Sequence, residues 1–290
     1  MKSLLILSGK GGTGKTTVAA AFIGFSKAKA FADCDVDAPN LHSLEKFEKE
    51  PAIKEYYGSD KSKIDLSKCI GCGKCKTNCR FNAIYPVETG YQVNPLLCEG
   101  CGVCEIVCPV GAAKLYDDVS GHLMMYKEKG RVFSSAELKM GRGNSGKLVS
   151  QVKQDLIDNV HKDTEIAIID GSPGIGCPVI ASISGVDLVL IVTEPTVSGM
   201  SDMKRIVETA RIFNAKVAIC VNKYSISEEI TDDIENYCEQ ENIDFVGKVP
   251  FDKAVSKSIN DGIPISEVDS EARTELKKVY ENTMKMLLGN

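Results

Sequence analysis

The sequence predicts an α/β fold: a parallel β-sheet covered by helices on both faces, with a smaller α+β module inserted into it. Three observations carry this expectation. Short, continuous apolar runs such as Ile166-Ala167-Ile168-Ile169 and 186–192 alternate with helical patterns, as strands buried on both faces require. A glycine-rich turn, Gly9-Lys10-Gly11-Gly12-Thr13-Gly14-Lys15-Thr16, follows the first of these runs. Between the strand-forming regions lie two cysteine runs of identical spacing, an internal duplication. The predicted division is 1–58 and 118–290 for the two parts of the α/β domain, with 59–117 as the insert.

Taken in order, residues 3–8 form an apolar strand that ends at the glycine-rich turn, and 16–27 continue as a helix rich in Ala, Val and Phe. Residues 29–34 give a second short strand, closing on the acidic Asp33-Cys34-Asp35-Val36-Asp37. Charged residues from Glu45 to Lys63 break the pattern and mark a boundary. The polar, glycine-bearing stretch from Lys127 to Lys147 is expected to be a second connector. Strands then follow at 166–169, ending in Asp170, and at 186–192, 215–221 and 245–249, with helices at 200–213 and 227–241. In the tail, Leu276, Val279, Tyr280, Met284 and Leu287 share one helical face opposite mixed charges, which predicts a helix docked on the sheet rather than on a membrane.

Composition excludes several classes. Of 290 residues, 43% are hydrophobic and 26% charged, ordinary values for a soluble globular protein. No apolar run reaches membrane-spanning length, and Leu4–Leu7 is too short for a signal segment. A net charge of -5 argues against a dedicated nucleic-acid surface. Eight of the 12 cysteines sit in the two runs, so a secreted disulfide framework is not expected; a reducing cytoplasm is.

The glycine-rich turn has the form of a P-loop. Its backbone N–H groups would line an anion cradle at a helix N-terminus, Lys15 would reach the terminal phosphates, and Thr16 would offer its hydroxyl to Mg2+. A second lysine, Lys10, is left over; it either acts in trans on a partner's nucleotide, as an arginine finger does, or is a solvated surface residue. Asn222-Lys223 opens like a guanine-reading Asn-Lys-x-Asp, but residue 225 is serine, so the acceptor for guanine's N–H groups is missing and ATP is favoured.

Cys69, Cys72, Cys75 and Cys79 follow C-x2-C-x2-C-x3-C, and Cys98, Cys101, Cys104 and Cys108 repeat it, now with Pro109. This is the two-cluster ferredoxin spacing, in which each run's fourth cysteine serves the other cluster. Two [4Fe–4S] clusters are expected: one on Cys69, Cys72, Cys75 and Cys108, the other on Cys98, Cys101, Cys104 and Cys79. Zinc ribbons use paired C-x2-C without the third and fourth cysteines. Arg80 stands where the first run would have proline. Cys220 and Cys238 are read as having no role.

The string Lys10-Gly11-Gly12-Thr13-Gly14-Lys15-Thr16-Thr17, together with 33–40 and Ile168-Ile169-Asp170-Gly171-Ser172-Pro173-Gly174, resembles the MinD/ParA/Mrp and nitrogenase iron protein superfamily of P-loop ATPases. More narrowly it resembles MinD-type ATPases with an inserted two-cluster ferredoxin domain, over essentially the whole chain. The resemblance implies a sandwich dimer crossed by Lys10, of two like chains or of this chain with a paralogue. It implies that Asp35 positions the attacking water, with Asp33 and Asp37 near enough to share the role, and that Asp170 holds Mg2+ through a water. Gly174 would sense the γ-phosphate, Asn222 would touch adenine, and the Pro250 loop would close over the base. ATP or ADP, Mg2+ and two [4Fe–4S] clusters are the implied cofactors. Cys177 matches the place of a cluster-ligating cysteine in the iron protein, with a small unreactive thiol as the plainer alternative; Cys34, beside the first acidic loop, is treated the same way.

The function these features imply is an ATPase whose nucleotide state gates electron transfer to a redox or iron–sulfur protein partner. An Mrp-like cluster carrier is the alternative, and a MinD/ParA-type positioning role comes third.

Overall fold

Leu4, Leu5, Ile6 and Leu7 are fully buried in the first strand, β1 (Lys2–Leu7), of the computed structural model, which describes residues 1–289. Along the chain follow α1 (Lys15–Ser26), β2 (Ala30–Asp33), β3 (Ala52–Tyr57), β4 (Lys61–Ile64), α2 (Lys74–Thr77), β5 (Ile84–Val87) and β6 (Gly90–Val93). Next come α3 (Val103–Ile106), β7 (Ala113–Tyr116), β8 (Val119–Glu128), β9 (Arg131–Leu138), α4 (Ser145–Asn159), β10 (Ile166–Asp170) and α5 (Cys177–Ile183). The chain closes with β11 (Leu188–Thr193), α6 (Val197–Ile212), β12 (Lys216–Asn222), α7 (Glu228–Gln240), β13 (Asp244–Val249), α8 (Lys253–Asn260) and α9 (Glu271–Leu288).

Two units divide these elements. The larger takes Met1–Ile53, Leu123–Glu137 and Ser145–Asn290; the smaller takes Lys54–His122 and Leu138–Asn144. The smaller unit therefore extends past both ends of the 59–117 expected for the insert, and it recruits a short later segment that the sequence reading assigned to the α/β domain.

The larger unit is built on a sheet ordered β13-β12-β11-β1-β10-β2-β9-β8. From β13 to β9 every neighbouring pair is parallel, with Leu4 beside Ile168 and Leu188, and Phe31 beside Phe133. Strands paired on both sides and covered on both faces must be apolar throughout, and all six residues of β11 are buried. Helix α1 shows almost no polar face because Val18 to Ile23 are all buried. The tail helix α9 docks on it, with Phe22 and Tyr280 edge to face at 5.3 Å, while Leu276, Val279 and Leu287 are buried.

The polar stretch at 127–147, expected to be a connector, is largely regular structure. It holds the end of β8, all of β9 and the start of α4. β9 hides from a hydropathy reading because Ser134 and Ser135 stand in its centre, yet both are buried; Ser134 Oγ donates to Val152 O at 2.9 Å. Likewise the charged stretch 45–63 contains β3 and part of β4.

Phe133 stacks on Phe31 at 5.0 Å and Tyr126 at 5.2 Å, with Phe47 at 5.9 Å and the Arg131 guanidinium over Phe31 and Phe47.

In the smaller unit, β4 pairs antiparallel with β7, and β5 with β6. Short helices α2 and α3 each begin after a left-handed glycine, Gly73 (φ 74) and Gly102 (φ 78), a conformation open to glycine because it has no Cβ. Ile64, Ile84, Ala112 and Ala113 pack with Cys75 and Cys104 as its core.

Removing the central ring of the aromatic cluster should be costly. Phe133→Ala is expected to destabilise the larger unit by about 3–5 kcal/mol, seen as a lowered urea midpoint; an unchanged midpoint would contradict the packing described.

Candidate nucleotide site and cysteine cavities

β1 delivers the chain into a loop whose shape glycine makes possible. Gly12 (φ 82) and Gly14 (φ 91) are left-handed, and a Cβ on Gly14 would collide with the Asn222 amide. Val18 N donates to Gly14 O at 3.0 Å, which starts α1 directly from the loop.

Neighbouring strand ends hold the loop in place. Asn222, the last residue of β12, donates through Nδ2 to Thr13 O at 2.7 Å, and its Oδ1 accepts from Lys223 N at 3.0 Å. Lys223 Nζ reaches Gly12 O at 3.0 Å and Glu194 Oε1 at 2.5 Å. Glu194 also pairs with Lys10 at 3.4 Å, so Lys10 lies folded back along its own chain, with Thr196 and Ser198 hydroxyls 3.5 Å away. Glu194 was not singled out from the sequence; its position just after β11, a strand neighbouring β1, was the available signal.

Asp170 ends β10 and anchors the centre of the site. Lys15 Nζ donates to its Oδ1 at 2.6 Å and Thr16 Oγ1 to its Oδ2 at 2.6 Å. Lys15 and Asp170 are both buried. Burial pushes the Lys15 pKa down, but the Asp170 charge and hydrogen bond, with Asp33 and Asp35 behind them, outweigh it and hold the amine above its ordinary value. The ammonium is thus firmly charged.

The three carboxylates of the first acidic loop occupy different environments. Asp33 is fully buried and accepts from the backbone N–H groups of Asp35 (3.0 Å), Asn40 (2.9 Å) and Leu41 (2.9 Å), which closes the loop on itself. Burial, followed by the Asp170 charge, raises its pKa to about 7. Asp35 is half-buried, and burial raises it to about 6, opposed by Lys15 and assisted by Asp170 and Asp37. Asp37 is exposed. Asp33 therefore shapes the loop, while Asp35 is the one of the other two that feels Lys15.

The loop after Asp170 lies against the glycine-rich turn. Gly171 N donates to Ile6 O at 2.9 Å, and Gly174 N (φ 96) donates to Ser8 O at 2.9 Å. Ser172 Oγ donates to Cys34 O at 2.6 Å, and Cys34 N to Asp170 O at 2.7 Å, which ties the two acidic loops together. Cys34 is buried, with its thiol pushed far up by burial, whereas Cys177 is exposed at the start of α5. Cys220 and Cys238 are buried, and burial pushes both thiols up to about 12. Pro250 is buried at the end of β13, followed by exposed Phe251, whose N–H donates to Ser225 Oγ at 3.0 Å. Thr17, Gly9 and Gly11 lie in the same turn and helix start.

Whether the loop suits a phosphate can be tested on one atom. Thr13 Oγ1 is buried and has no hydrogen-bond partner. A buried hydroxyl without a partner is unfavourable, and a phosphate oxygen in the loop is the kind of acceptor it lacks.

In the smaller unit the cysteines line two cavities. One is bounded by Cys98, Cys101, Cys104 and Cys79, the other by Cys69, Cys72, Cys75 and Cys108. Each cavity takes three cysteines from one run and the fourth from the other. Among the described residues no three Cys, His, Asp or Glu side chains converge on a point that a single metal ion could fill.

Residues 4–265 match the family model for the CobQ/CobB/MinD/ParA nucleotide binding domain. The chain belongs to that family. It is a P-loop ATPase of the MinD/ParA kind. It is 33% identical to an uncharacterized protein of Methanocaldococcus jannaschii, across 96% of this chain and 95% of that one. An iron-sulfur cluster carrier protein of the same organism is 22% identical over 99% of this chain and 85% of its own. A 7Fe ferredoxin of Hydrogenibacillus schlegelii is 37% identical over 22% of this chain and 86% of its own. Among solved structures, the cell division ATPase MinD of Pyrococcus furiosus superposes with a TM-score of 0.58 at 17% identity, covering 98% and 99% of the two chains, which shows the fold. No described helix is long and apolar enough to cross a membrane.

The buried acids set a pH dependence. An acid whose pKa is higher folded than unfolded favours the folded state less as pH rises, here from near 3.8 to about 7 for Asp33. Asp33→Asn is expected to reduce the fall in urea midpoint across that window, leaving a smaller slope up to about 6 from Asp35. An undiminished slope would assign the protons elsewhere.

Proposed function

We propose that this ATPase uses its nucleotide state to gate one-electron transfer from two [4Fe–4S] clusters in the smaller unit to a redox or iron–sulfur protein partner. The observation that carries the reading is the crossed lining of the two cysteine cavities, within a chain whose larger unit is a P-loop ATPase. The four cysteines that line each cavity are the residues that would hold a cluster, their sulfurs being the ligand type that iron–sulfur clusters take. Backbone N–H groups already face sulfur, with Ala112 N donating to Cys108 Sγ at 3.2 Å and Ser62 N to Cys98 Sγ at 3.4 Å. Such clusters, when bound, would supply one-electron storage. The smaller unit is accordingly read as an inserted ferredoxin domain, in a chain that works in a reducing cytoplasm without nucleic acid or membrane as partner.

The ATPase chemistry is phosphoryl transfer to water. Lys15, held charged, exchanges Asp170 for the terminal phosphate oxygens and neutralises charge there. Thr16 Oγ1 and Asp170 are the residues that would hold Mg2+, the latter through a water; the ion would draw charge from the bridging oxygens. Asp35, raised to about 6, is ionised near neutrality, and orients the attacking water. Lys10 leaves Glu194 to reach the nucleotide of a second subunit, either a like chain or a paralogue. Gly174 N exchanges Ser8 O for the γ-phosphate, which moves the loop leading to α5. Asn222 and Pro250 flank the base side of the loop.

The second reading is a cluster carrier. It draws on the iron-sulfur cluster carrier protein that this chain resembles along its length and on exposed Cys177. Lability separates the two: a carrier releases its clusters to apo-protein, and a gate retains them.

Lys15→Ala is expected to abolish ATP turnover and to cost about 3–5 kcal/mol of stability by leaving Asp170 buried without its partner; normal hydrolysis would refute the site. Cys108→Ser should damage the cluster shared with Cys69, Cys72 and Cys75, read from iron content and EPR, and an intact spectrum would refute crossed ligation. In the anaerobic wild type, midpoint potentials should differ between Mg-ADP and a non-hydrolysable ATP analogue. Identical values would favour the carrier.

A further inference from the structure

The two cysteine cavities differ in the residues that β4 contributes to them. Alternate residues of a strand share a face, and β4 places Ser62 against one set and Ile64 against the other. Around Cys69, Cys72, Cys75 and Cys108 the remaining wall is Ile70, Val110, Ala112, Ala113 and Tyr91, with Gly73. Around Cys98, Cys101, Cys104 and Cys79, Ser62 does more than fill space. Its N–H donates to Cys98 Sγ at 3.4 Å, and the Cys104 thiol donates to its Oγ at 3.0 Å. Once Cys104 is a thiolate, that hydroxyl is placed to donate to the sulfur instead.

Lys61 adds a charge beside the same set. It is 4% exposed, and its Nζ donates to the Cys98 carbonyl oxygen. No carboxylate pairs with it among the described residues, in contrast to Lys15 with Asp170 or Lys114 with Glu105. A buried ammonium without counter-charge is unfavourable. Four thiolates and an iron–sulfide core carry net negative charge and would supply the missing partner.

Opposing features do not restore the balance. Backbone N–H groups donate to sulfur in both sets, from Ala112 to Cys108 at 3.2 Å and from Ser62 to Cys98 at 3.4 Å. Dipoles of that kind are common to both sides, whereas the buried charge of Lys61 and the Ser62 hydroxyl, in hydrogen-bond contact with a cysteine sulfur, belong to one. Glu99 borders the Ser62 cavity, but it is exposed and screened by water.

We propose that Lys61 and Ser62 make the Cys79, Cys98, Cys101 and Cys104 set the higher-potential, electron-retaining one. The inference rests on the cluster reading above. Reduction adds one negative charge, so a buried cation and hydrogen bonds to sulfur favour the reduced form. An electron delivered by an external one-electron reductant to the other set passes to the Ser62 set. The first is oxidised by one electron and the second reduced by one, with no proton moved and no bond broken.

The test is a redox titration followed by EPR on the full chain, purified anaerobically, with iron and sulfide measured alongside. The wild type should give two waves. Lys61→Met should lower the higher one, reducing the reduced-to-oxidised ratio at fixed potential about tenfold, or ~59 mV for a one-electron couple. Ser62→Ala should move the same wave by less, and Lys61→Arg, which keeps the charge, should leave it in place. If Lys61→Met loses iron, Ser62→Ala and Lys61→Arg still decide the matter. Cys101→Ser identifies the wave by removing or shifting it. Coincident wild-type waves, or a shift confined to the wave that Cys72→Ser perturbs, would overturn the inference while leaving the clusters in place. A wild type without iron would overturn the cluster reading itself.

Discussion

The nucleotide site depends on one carboxylate. Asp170 receives the Lys15 amine and the Thr16 hydroxyl on its two oxygens, while its own backbone carbonyl receives Cys34 N. Three segments far apart in sequence therefore meet at the end of β10. Burial makes the arrangement rigid, because none of these groups can leave without exposing a charge or an unpaired donor to a dry interior. An incoming polyanion that offers Lys15 and Thr16 better partners changes all three segments together. That is how a small change at the phosphates can be felt at both acidic loops.

A second layer of contacts keeps the glycine-rich turn in shape before any ligand arrives. Asn222 and Lys223 take the carbonyls of Thr13 and Gly12, and Glu194 balances Lys223 and Lys10. These carbonyls would otherwise compete with phosphate for the region's cations. With them satisfied by Asn222 and Lys223 at the end of β12, that competition is removed, and the backbone N–H groups at the start of α1 can serve an anion. The same contacts explain why an asparagine and a lysine sit together after a strand in a chain without the acidic residue needed to read guanine.

Much of this was legible in the sequence, for physical reasons. Continuous apolar strands such as β1 and β11 have no alternative to a doubly covered parallel sheet, and glycines at fixed offsets announce the turn that joins β1 to α1. β9 was not legible, because hydropathy reads Ser134 and Ser135 as exposed, whereas both are buried and Ser134 finds its partner in a tertiary contact with Val152 O. The division of labour among Asp33, Asp35 and Asp37 was also hidden, since it follows from which carboxylate the loop folds around. The grouping of cysteines follows from spacing alone. The difference between their surroundings does not, because Lys61 and Ser62 come from a strand that precedes both runs.

The smaller unit is left and re-entered. The chain enters it at Lys54, leaves after His122 to build the rest of β8 and most of β9, returns for Leu138–Asn144, and leaves again into α4. Four crossings mean that no single backbone cut can release either unit from the other. They also interleave synthesis: the smaller unit lacks its last segment until most of β9 has been made, and the larger lacks α4 onward until that segment is complete. The smaller unit is thus complete at Asn144 with every strand from β10 to β13 still to be made, so its cysteine cavities can close before the phosphate loop has gained Asp170 and Asn222.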